Sequence, residues 1–223
     1  MPRVGRIFQQ ALCYHVLNRG VNRQTIFEDD QDRETFLQLA QDYKVICGAR
    51  VYHWVWMGNH FHMLVEVVHA NLRGFAGGLQ QAYAQYHHAR HGTSGVFWQN
   101  RFKSPPVEIG PYLVSCGRYI ERNPVRAGLV PTAWTYAWSS AAHYVEGRND
   151  GLTDTNPYVG ISSAEEKREY GAALMSGVDE AVIRRFRRGR PIGTDVFAGK
   201  LRCDRGRFRV KRGRPVSNVR ITL

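Results

Sequence analysis

The chain has 223 residues, of which 43% are hydrophobic, 12% aromatic and 22% charged. This composition is typical of one globular domain with an extension, and it excludes a chain that is disordered throughout. The sequence has no run of about 18 apolar residues, and its first residues lack the apolar core of a signal peptide. We therefore expect a cytoplasmic protein that is neither exported nor membrane-bound.

The positive charge of the chain is concentrated at its C-terminal end. Lysine and arginine number 31, aspartate and glutamate 19, and the formal net charge is +12. Residues 181–223 contain 14 basic and two acidic residues, so they carry the whole excess and residues 1–180 are neutral. Such a segment predicts a polyanionic partner, either a nucleic acid or an anionic membrane. Glycines and prolines between the arginines prevent a long membrane-surface helix, which favours a nucleic acid.

Hydrophobic periodicity predicts six elements in the first 109 residues. They are a strand over 11–17, a helix over 29–46, strands over 51–57 and 60–67, a helix over 71–90 and an extended segment over 96–109. Only Gly58 and Asn59 separate the two middle strands, which favours an antiparallel hairpin. The order βαββαβ predicts an α+β protein with a ferredoxin-like antiparallel sheet and two helices on one face.

Further helices are predicted beyond this unit, over 111–123, 137–145 and 162–175. The first of them begins with Pro111, which suits a first helical turn, and ends at Asn123 because a proline follows. The chain is predicted to divide into a main domain, residues 1–146, a linker with a short helix, residues 147–180, and a basic tail, residues 181–223. The tail contains the tetrapeptide RGRP twice, at 188–191 and 212–215.

Two histidines stand at alternate positions near the start of the strand over 60–67. Period-two alternation places His60 and His62 on one face with Leu64 and Glu66. Two imidazoles at this spacing can share a metal ion. Most H-x-H pairs in strands bind no metal, however, because histidine is a common half-buried residue. The pattern alone therefore leaves both interpretations open.

The helix over 111–123 carries a second group of polar side chains. Tyr119 and Asn123 lie one turn apart on the same flank, and Arg118 and Arg122 face outward. A buried structural tyrosine is the alternative interpretation, since tyrosine often fills interfaces. The histidine pair on the preceding sheet favours a functional role for Tyr119.

Other candidate ligands carry weaker signals. His15 and His53 lie on predicted strands, where they either support metal-ligating histidines or pack in the core. His87, His88 and His91 lie near the end of a helix, where a solvated role or one in balancing the helix dipole is favoured. The four cysteines form no C-x-x-C pair, so neither a disulfide framework nor a cysteine-based zinc site is indicated.

Three segments together resemble a known family. They are MGNHFHMLVE (57–66), WQNRFKS (98–104) and RYIERNPVRAGLV (118–130). The sequence resembles the single-tyrosine HUH transposases over residues 11–145, and within them most closely the REP-associated tyrosine transposases. The resemblance implies that residues 1–146 form the catalytic domain and that His60 and His62 bind Mg²⁺ or Mn²⁺. It also implies that Tyr119 attacks single-stranded DNA, forming a covalent 5′-phosphotyrosine, and that Asn123 stands where some members place a further metal ligand.

The resemblance implies a metal-dependent DNA transposase, a single-strand endonuclease and strand transferase that acts near hairpins. Its partner would be single-stranded DNA with a hairpin, and the protein would be nucleoid-associated and a monomer or homodimer. Arg101 and Lys103, interleaved with Trp98 and Phe102, suit a groove that holds phosphates and stacks bases, or equally a solvated edge strand. The other predicted DNA-binding residues are Arg118, Arg122, Arg188, Arg190, Arg212 and Arg214.

Two alternatives to this function stay open. The first is a nucleic-acid-binding protein without catalysis, a repressor or RNA binder on the same fold, in which Tyr119 only stacks. The second is a metal-dependent phosphodiesterase that uses water. The RGRP sequences resemble AT-hooks, which place arginines in a narrow minor groove, and the alternative for them is a nonspecific phosphate-binding tail.

Overall fold

The computed structural model describes residues 12–67, 71–178, 180–187 and 190–207. The strands are β1 (Leu12–Arg19), β2 (Ala49–Met57), β3 (His60–Val67) and β4 (Pro106–Val107). The longer helices are α1 (Asp30–Cys47), α2 (Gly78–His91), α3 (Pro111–Glu121), α6 (Ala164–Ser176), α7 (Glu180–Arg187) and α8 (Asp195–Arg207). The shorter helices are α4 (Asn123–Arg126) and α5 (Ala141–Glu146), and a π-helical turn (Arg73–Gly77) precedes α2. In the described ranges, no helix combines the length and apolarity needed to span a membrane.

The four strands form one sheet in the order β2-β3-β1-β4, and all neighbours are antiparallel. This order confirms the predicted ferredoxin-like sheet, and the two-residue turn between β2 and β3 confirms the hairpin. In the pairing of β1 with β3, Leu17 lies opposite His62 and Arg19 opposite His60. The N-terminal end of β3 therefore lies beside the C-terminal end of β1, at the same end of the two central strands.

Alternation along the strands creates two apolar layers. On one face, large side chains such as Trp54, Trp56 and Phe61 pack against α1 and α2. On the other face, Leu64 of the sheet packs against a cluster that includes Ile120 of α3. The predicted alternation of β3 is confirmed, because His60 and His62 share the side of Leu64. The two predicted helices cover one face, and α3 covers the other.

The chain around Pro124 differs from the prediction. Helix α3 ends at Glu121, and α4 begins at Asn123 with Pro124 in its first turn. Proline cannot continue the hydrogen-bond ladder of α3, but its fixed φ suits the start of a new helix. The chain therefore turns at Arg122 without becoming extended, which brings Arg126 of α4 over the ring of Tyr119.

The predicted linker and the start of the predicted tail pack against the sheet domain. Asp154 accepts a hydrogen bond from the backbone N–H of Val51, at 2.8 Å. In the tail, Phe186 belongs to the core cluster under α3, and Ile192 exchanges backbone hydrogen bonds with Pro106 and Glu108 beside β4. Both predicted boundaries, after residues 146 and 180, thus fall inside packed structure. Because these segments are mostly polar, their composition did not indicate that a few of their apolar residues are buried.

Candidate active site

The two histidines of β3 line a pocket of about 220 Å³ where β1 and β3 meet. Their ring centroids are 5.2 Å apart. His62 is 5% exposed and His60 is half-buried. Burial lowers the pKa of His60 to about 4 and holds that of His62 well below its usual range. Both imidazoles are therefore neutral at pH 7, which is the form that binds metals.

Each of these histidines has one ring nitrogen engaged by a neighbour. His60 Nδ1 lies 2.6 Å from Asn59 Oδ1, and His62 Nδ1 lies 2.8 Å from His15 Nε2. If both Nδ1 atoms carry the proton and donate it, both Nε2 atoms keep a lone pair. Metal-ligating histidines commonly donate their other N–H in this way. The donor set therefore fits a divalent cation on the Nε2 atoms.

His15 supports the pair from β1. Its ring stacks on that of His62 with centroids 5.0 Å apart, and burial lowers its pKa to about 3. Among the described residues, its Nδ1 is buried without a hydrogen-bond partner. The sequence left two roles open for His15, support of a metal-ligating histidine and packing in the core, and its contact with His62 is the one that the supporting role requires.

The ring of Tyr119 faces these histidines from α3. Its centroid lies 5.9 Å from those of His62 and His15. Phe186 of α7 lies 4.9 Å from the Tyr119 ring, and the guanidinium carbon of Arg126 lies 5.3 Å from it. The fold thus brings together the histidine pair and a tyrosine that lies 57 residues further along the chain than His62. The covering groups Phe186 and Arg126 were not predicted from the sequence.

Comparison with known proteins identifies the family. The family model described as "Transposase IS200 like" matches residues 8–123, which is more than half of the chain. The chain belongs to the IS200-like transposase family. No curated protein matches this transposase in sequence.

Two solved structures resemble the transposase. One is a REP-associated tyrosine transposase bound to a REP hairpin, with a TM-score of 0.53 and 18% identity over 74% of this chain and 93% of that chain. The other is a provisionally assigned transposase from Deinococcus radiodurans, with a TM-score of 0.36 and 16% identity over 57% of this chain and 92% of that chain. The first likeness shows a shared fold, and the second is too distant to support an argument.

Asn123 of the transposase caps the helix that carries Tyr119. Its Nδ2 donates to the backbone carbonyls of Tyr119 at 2.9 Å and of Ile120 at 3.0 Å. These bonds satisfy carbonyls that the end of a helix would otherwise leave unpaired. The amide nitrogen is thus occupied, and a metal would meet only Oδ1. The metal-binding role of Asn123 stays a prediction.

Basic and amide side chains surround the histidines in the pocket. Arg101 and Lys103 line it, together with Asn18, Arg19, Gln99 and Asn100, and their binding to DNA stays a prediction. Arg19, Arg101 and Lys103 are exposed. Phe102 is buried in the core and is therefore not available to stack on bases, whereas Trp98 packs partly buried against the same core beside α2. The 96–105 segment is irregular, so alternation along it does not determine which side chains point outward.

Arg118 and Arg122 do not face outward as predicted. Both are half-buried, and the Nε of Arg118 is inaccessible to solvent. Helix α6 covers this side of α3, and a side chain at Gly177 would lie 3.6 Å from Arg122 Nη2. A helical wheel gives the direction of a side chain but not the elements that cover it. Of the predicted DNA-binding residues in the tail, Arg190 is exposed, and Arg188, Arg212 and Arg214 lie outside the described residues.

A buried carboxylate holds α3 in place. Glu121 is fully buried and accepts hydrogen bonds from Ser140 Oγ at 2.6 Å and Tyr170 OH at 2.8 Å. It also accepts a bond from His53 Nδ1 at 2.8 Å, while Asn156 contacts the other His53 nitrogen. These partners come from β2, α6 and the chain before α5. His53 is thus part of a structural network and does not line the pocket.

The variant Glu121→Ala is expected to destabilise the transposase by about 3 kcal/mol, because it leaves three buried donors unpaired. For a domain of this size, that loss lowers Tm by about 6–12 °C. Thermal unfolding followed by circular dichroism checks the result. Glu146→Ala, at an exposed position, is the matched control and should leave Tm unchanged. A Tm for Glu121→Ala equal to that of the control would contradict the role of this network.

Proposed function

We propose that the transposase cleaves and rejoins single-stranded DNA next to a hairpin, with Tyr119 as the nucleophile and with Mg²⁺ or Mn²⁺ held by His60 and His62. The observation that carries this proposal is the 5.9 Å separation of the Tyr119 and His62 rings. A binding protein without catalysis requires neither neutral histidines with available Nε2 atoms nor a tyrosine beside them. A cation held there would polarise the scissile phosphate and stabilise the negative charge on its oxygens.

The nucleophile needs help to lose its proton. An ordinary tyrosine has a pKa near 10, so forming the phenolate at pH 7 costs about 4 kcal/mol. A cation held by His60 and His62 would offset part of this cost by stabilising the charge that develops on the transferring oxygens. Attack by the Tyr119 oxygen forms an O–P bond and breaks the bond from phosphorus to the 3′ oxygen, which takes up a proton. The products are a 5′-phosphotyrosine and a free 3′-OH, and reverse attack by a 3′-OH reseals the strand.

The pocket also offers a place for the DNA backbone. Arg19, Arg101 and Lys103 are exposed cations that surround the histidines, and such cations bind phosphates. Hairpin recognition is proposed by similarity of fold, since the solved relative was bound to a REP hairpin. The pocket itself is too small to hold a duplex, so the stem would lie outside it.

Two labels on one substrate test the proposal. Hairpin-flanked single-stranded DNA is labelled at its 3′ end or its 5′ end, incubated with the protein and Mn²⁺, and run on a denaturing gel. A 5′-phosphotyrosine transfers the 3′ label to the protein and releases a shorter 5′-labelled fragment. Hydrolysis by water would give the short fragments without an adduct, and a binding protein would give neither product. Either of those two results would contradict the proposal.

The tail is proposed to bind DNA through its charge. Residues 208–223 contain five basic residues and no acidic one. Truncation after Arg207 is expected to flatten the slope of log K against log salt by up to about 3.5 on single strands and 4.5 on duplex DNA. This truncation keeps α7 and α8, whereas removal of the whole tail would take Phe186 from the core. Fluorescence anisotropy at several salt concentrations measures the slope, and an unchanged slope would contradict a DNA-binding tail.

A matched pair of double variants separates the two proposed modes of tail binding. Arg212→Ala with Arg214→Ala removes both arginines of one RGRP sequence, whereas Arg209→Ala with Lys211→Ala removes the same charge outside it. If RGRP acts as an AT-hook, only the first pair lowers the preference for A·T-rich flanks. Equal losses from both pairs would indicate a nonspecific phosphate-binding tail.

A further inference from the structure

A second group of metal-ligating side chains lies between α1 and α2, away from the pocket of His60 and His62. Asp32, His87 and His91 each offer one ligand atom, and these atoms lie within 4.8 Å of one another. None of the three lines that pocket. Asp32 is fully buried and His87 is 5% exposed, while His91 is half-buried.

The helices place these side chains together. His87 and His91 are four residues apart on α2, so they lie one turn apart on the same face, with ring centroids 4.3 Å from each other. Two histidines at this spacing on a helix are a recurrent zinc-binding arrangement. Asp32 comes from the first turn of α1, and both of its oxygens lie 3.1 Å from His91 Nε2.

His87 is buried without a polar partner. Neither of its ring nitrogens has a hydrogen-bond partner among the described residues. Phe97 and Tyr83 pack around it, with ring centroids 4.6 Å and 6.2 Å away. A buried polar group without a partner is costly and rare in native proteins, and a bound ion would supply the partner that His87 lacks.

The local charge also favours a cation. Two carboxylates, Asp29 and Asp32, share one guanidinium, that of Arg90. Arg90 is held by both oxygens of Asp29, at 2.6 and 2.7 Å, so it does not depend on Asp32 for a partner. The two carboxylates and the one guanidinium together leave one negative charge in this group.

We propose that Asp32, His87 and His91 bind a zinc ion that links the start of α1 to the end of α2. Two imidazoles and a carboxylate are typical zinc ligands, and water would complete the tetrahedron. Zinc–ligand distances of about 2.0–2.1 Å place the ligand atoms about 3.3 Å apart. His91 and Asp32 already meet this requirement, and zinc would replace the proton between them. The His87 ligand atom lies within 4.8 Å of the other two and would have to move closer to complete the set.

This proposal does not depend on the proposed DNA chemistry. Its test uses a variant that lacks the other proposed metal site, that of His60 and His62. The full chain with His60→Ala and His62→Ala is freed of metal by a chelator and titrated with ZnCl₂ in a calorimeter. One saturable equivalent of zinc is expected. His87→Gln and, separately, His91→Gln in that background should weaken binding at least about 100-fold, because each removes a direct ligand. His88→Gln is the matched control, since His88 lies on the same helix but contacts Thr93.

Zinc should also raise Tm by about 5 °C or more at 100 times its dissociation constant, and His87→Gln or His91→Gln should remove this increase. His91 is half-buried, so His91→Gln gives the answer even if His87→Gln fails to fold. The absence of saturable zinc binding in the background protein would overturn the proposal. Zinc binding that His91→Gln leaves undiminished would overturn it too.

Discussion

The variant Tyr119→Phe is expected to lose the covalent DNA adduct, with a fall in cleavage rate of at least about 10⁴-fold, because it removes only the oxygen that we propose as the nucleophile. Among the described residues, no group hydrogen-bonds the Tyr119 hydroxyl, so the free energy of unfolding should change by less than about 0.5 kcal/mol. DNA affinity should also be retained. A denaturing gel with 3′-labelled hairpin DNA measures the adduct, and anisotropy measures the affinity.

Tyr112→Phe is the matched control for this variant. Tyr112 lies on the same helix, two turns earlier, and packs partly buried against the same core cluster. Removal of its hydroxyl should leave the adduct at the level of the unmodified protein. An undiminished adduct in Tyr119→Phe, or an adduct lost in Tyr112→Phe alone, would reassign the nucleophile.

The double variant His60→Ala with His62→Ala is expected to lose cleavage by at least about 10³-fold, the scale of losing electrostatic stabilisation of the transition state. It should also weaken Mn²⁺ binding, because both proposed imidazole ligands are gone. DNA affinity should change little, since the cations of the pocket and tail remain. Cleavage is measured on the denaturing gel and Mn²⁺ binding by calorimetry.

The single variant His60→Ala separates metal binding from folding. His60 is half-buried, and within the described part of the chain its side chain hydrogen-bonds only Asn59, whereas His62→Ala also leaves His15 without its partner. His60→Ala should therefore fold as the unmodified protein does and still lose most cleavage. His88→Ala is the control for an unrelated histidine. Unchanged Mn²⁺ affinity in the double variant would place the metal elsewhere.

The sequence predicted the features that depend on local pattern. The two-residue turn at Gly58 determines the hairpin, and period-two alternation determines the shared face of His60 and His62. The distance of Tyr119 from that face is different, because it depends on how α3 crosses the sheet. No spacing in the sequence gives that distance, and only the family resemblance pointed to the juxtaposition.

The features that the sequence did not predict depend on contacts between distant segments. His15 meets His62 through the antiparallel register of β1 with β3. Phe186 covers Tyr119 from a segment whose basic composition suggested a solvated tail. Glu121 is a charged residue near the end of a helix, yet it is fully buried and accepts hydrogen bonds from His53, Ser140 and Tyr170. Hydrophobic periodicity contains no information on such partners.

Mass-spectrometric mapping of the covalent adduct tests the central claim most directly. The adduct is trimmed by nuclease and digested with trypsin, which cleaves after Lys103, Arg118 and Arg122 and so separates Tyr112 from Tyr119. If the bound nucleotide blocks cleavage at Arg118, fragmentation of the joined peptide still distinguishes the two tyrosines. We predict a nucleotide phosphate on Tyr119, in the peptide over 119–122. A modified Tyr112, or cleaved DNA with no modified peptide, would contradict the proposed mechanism.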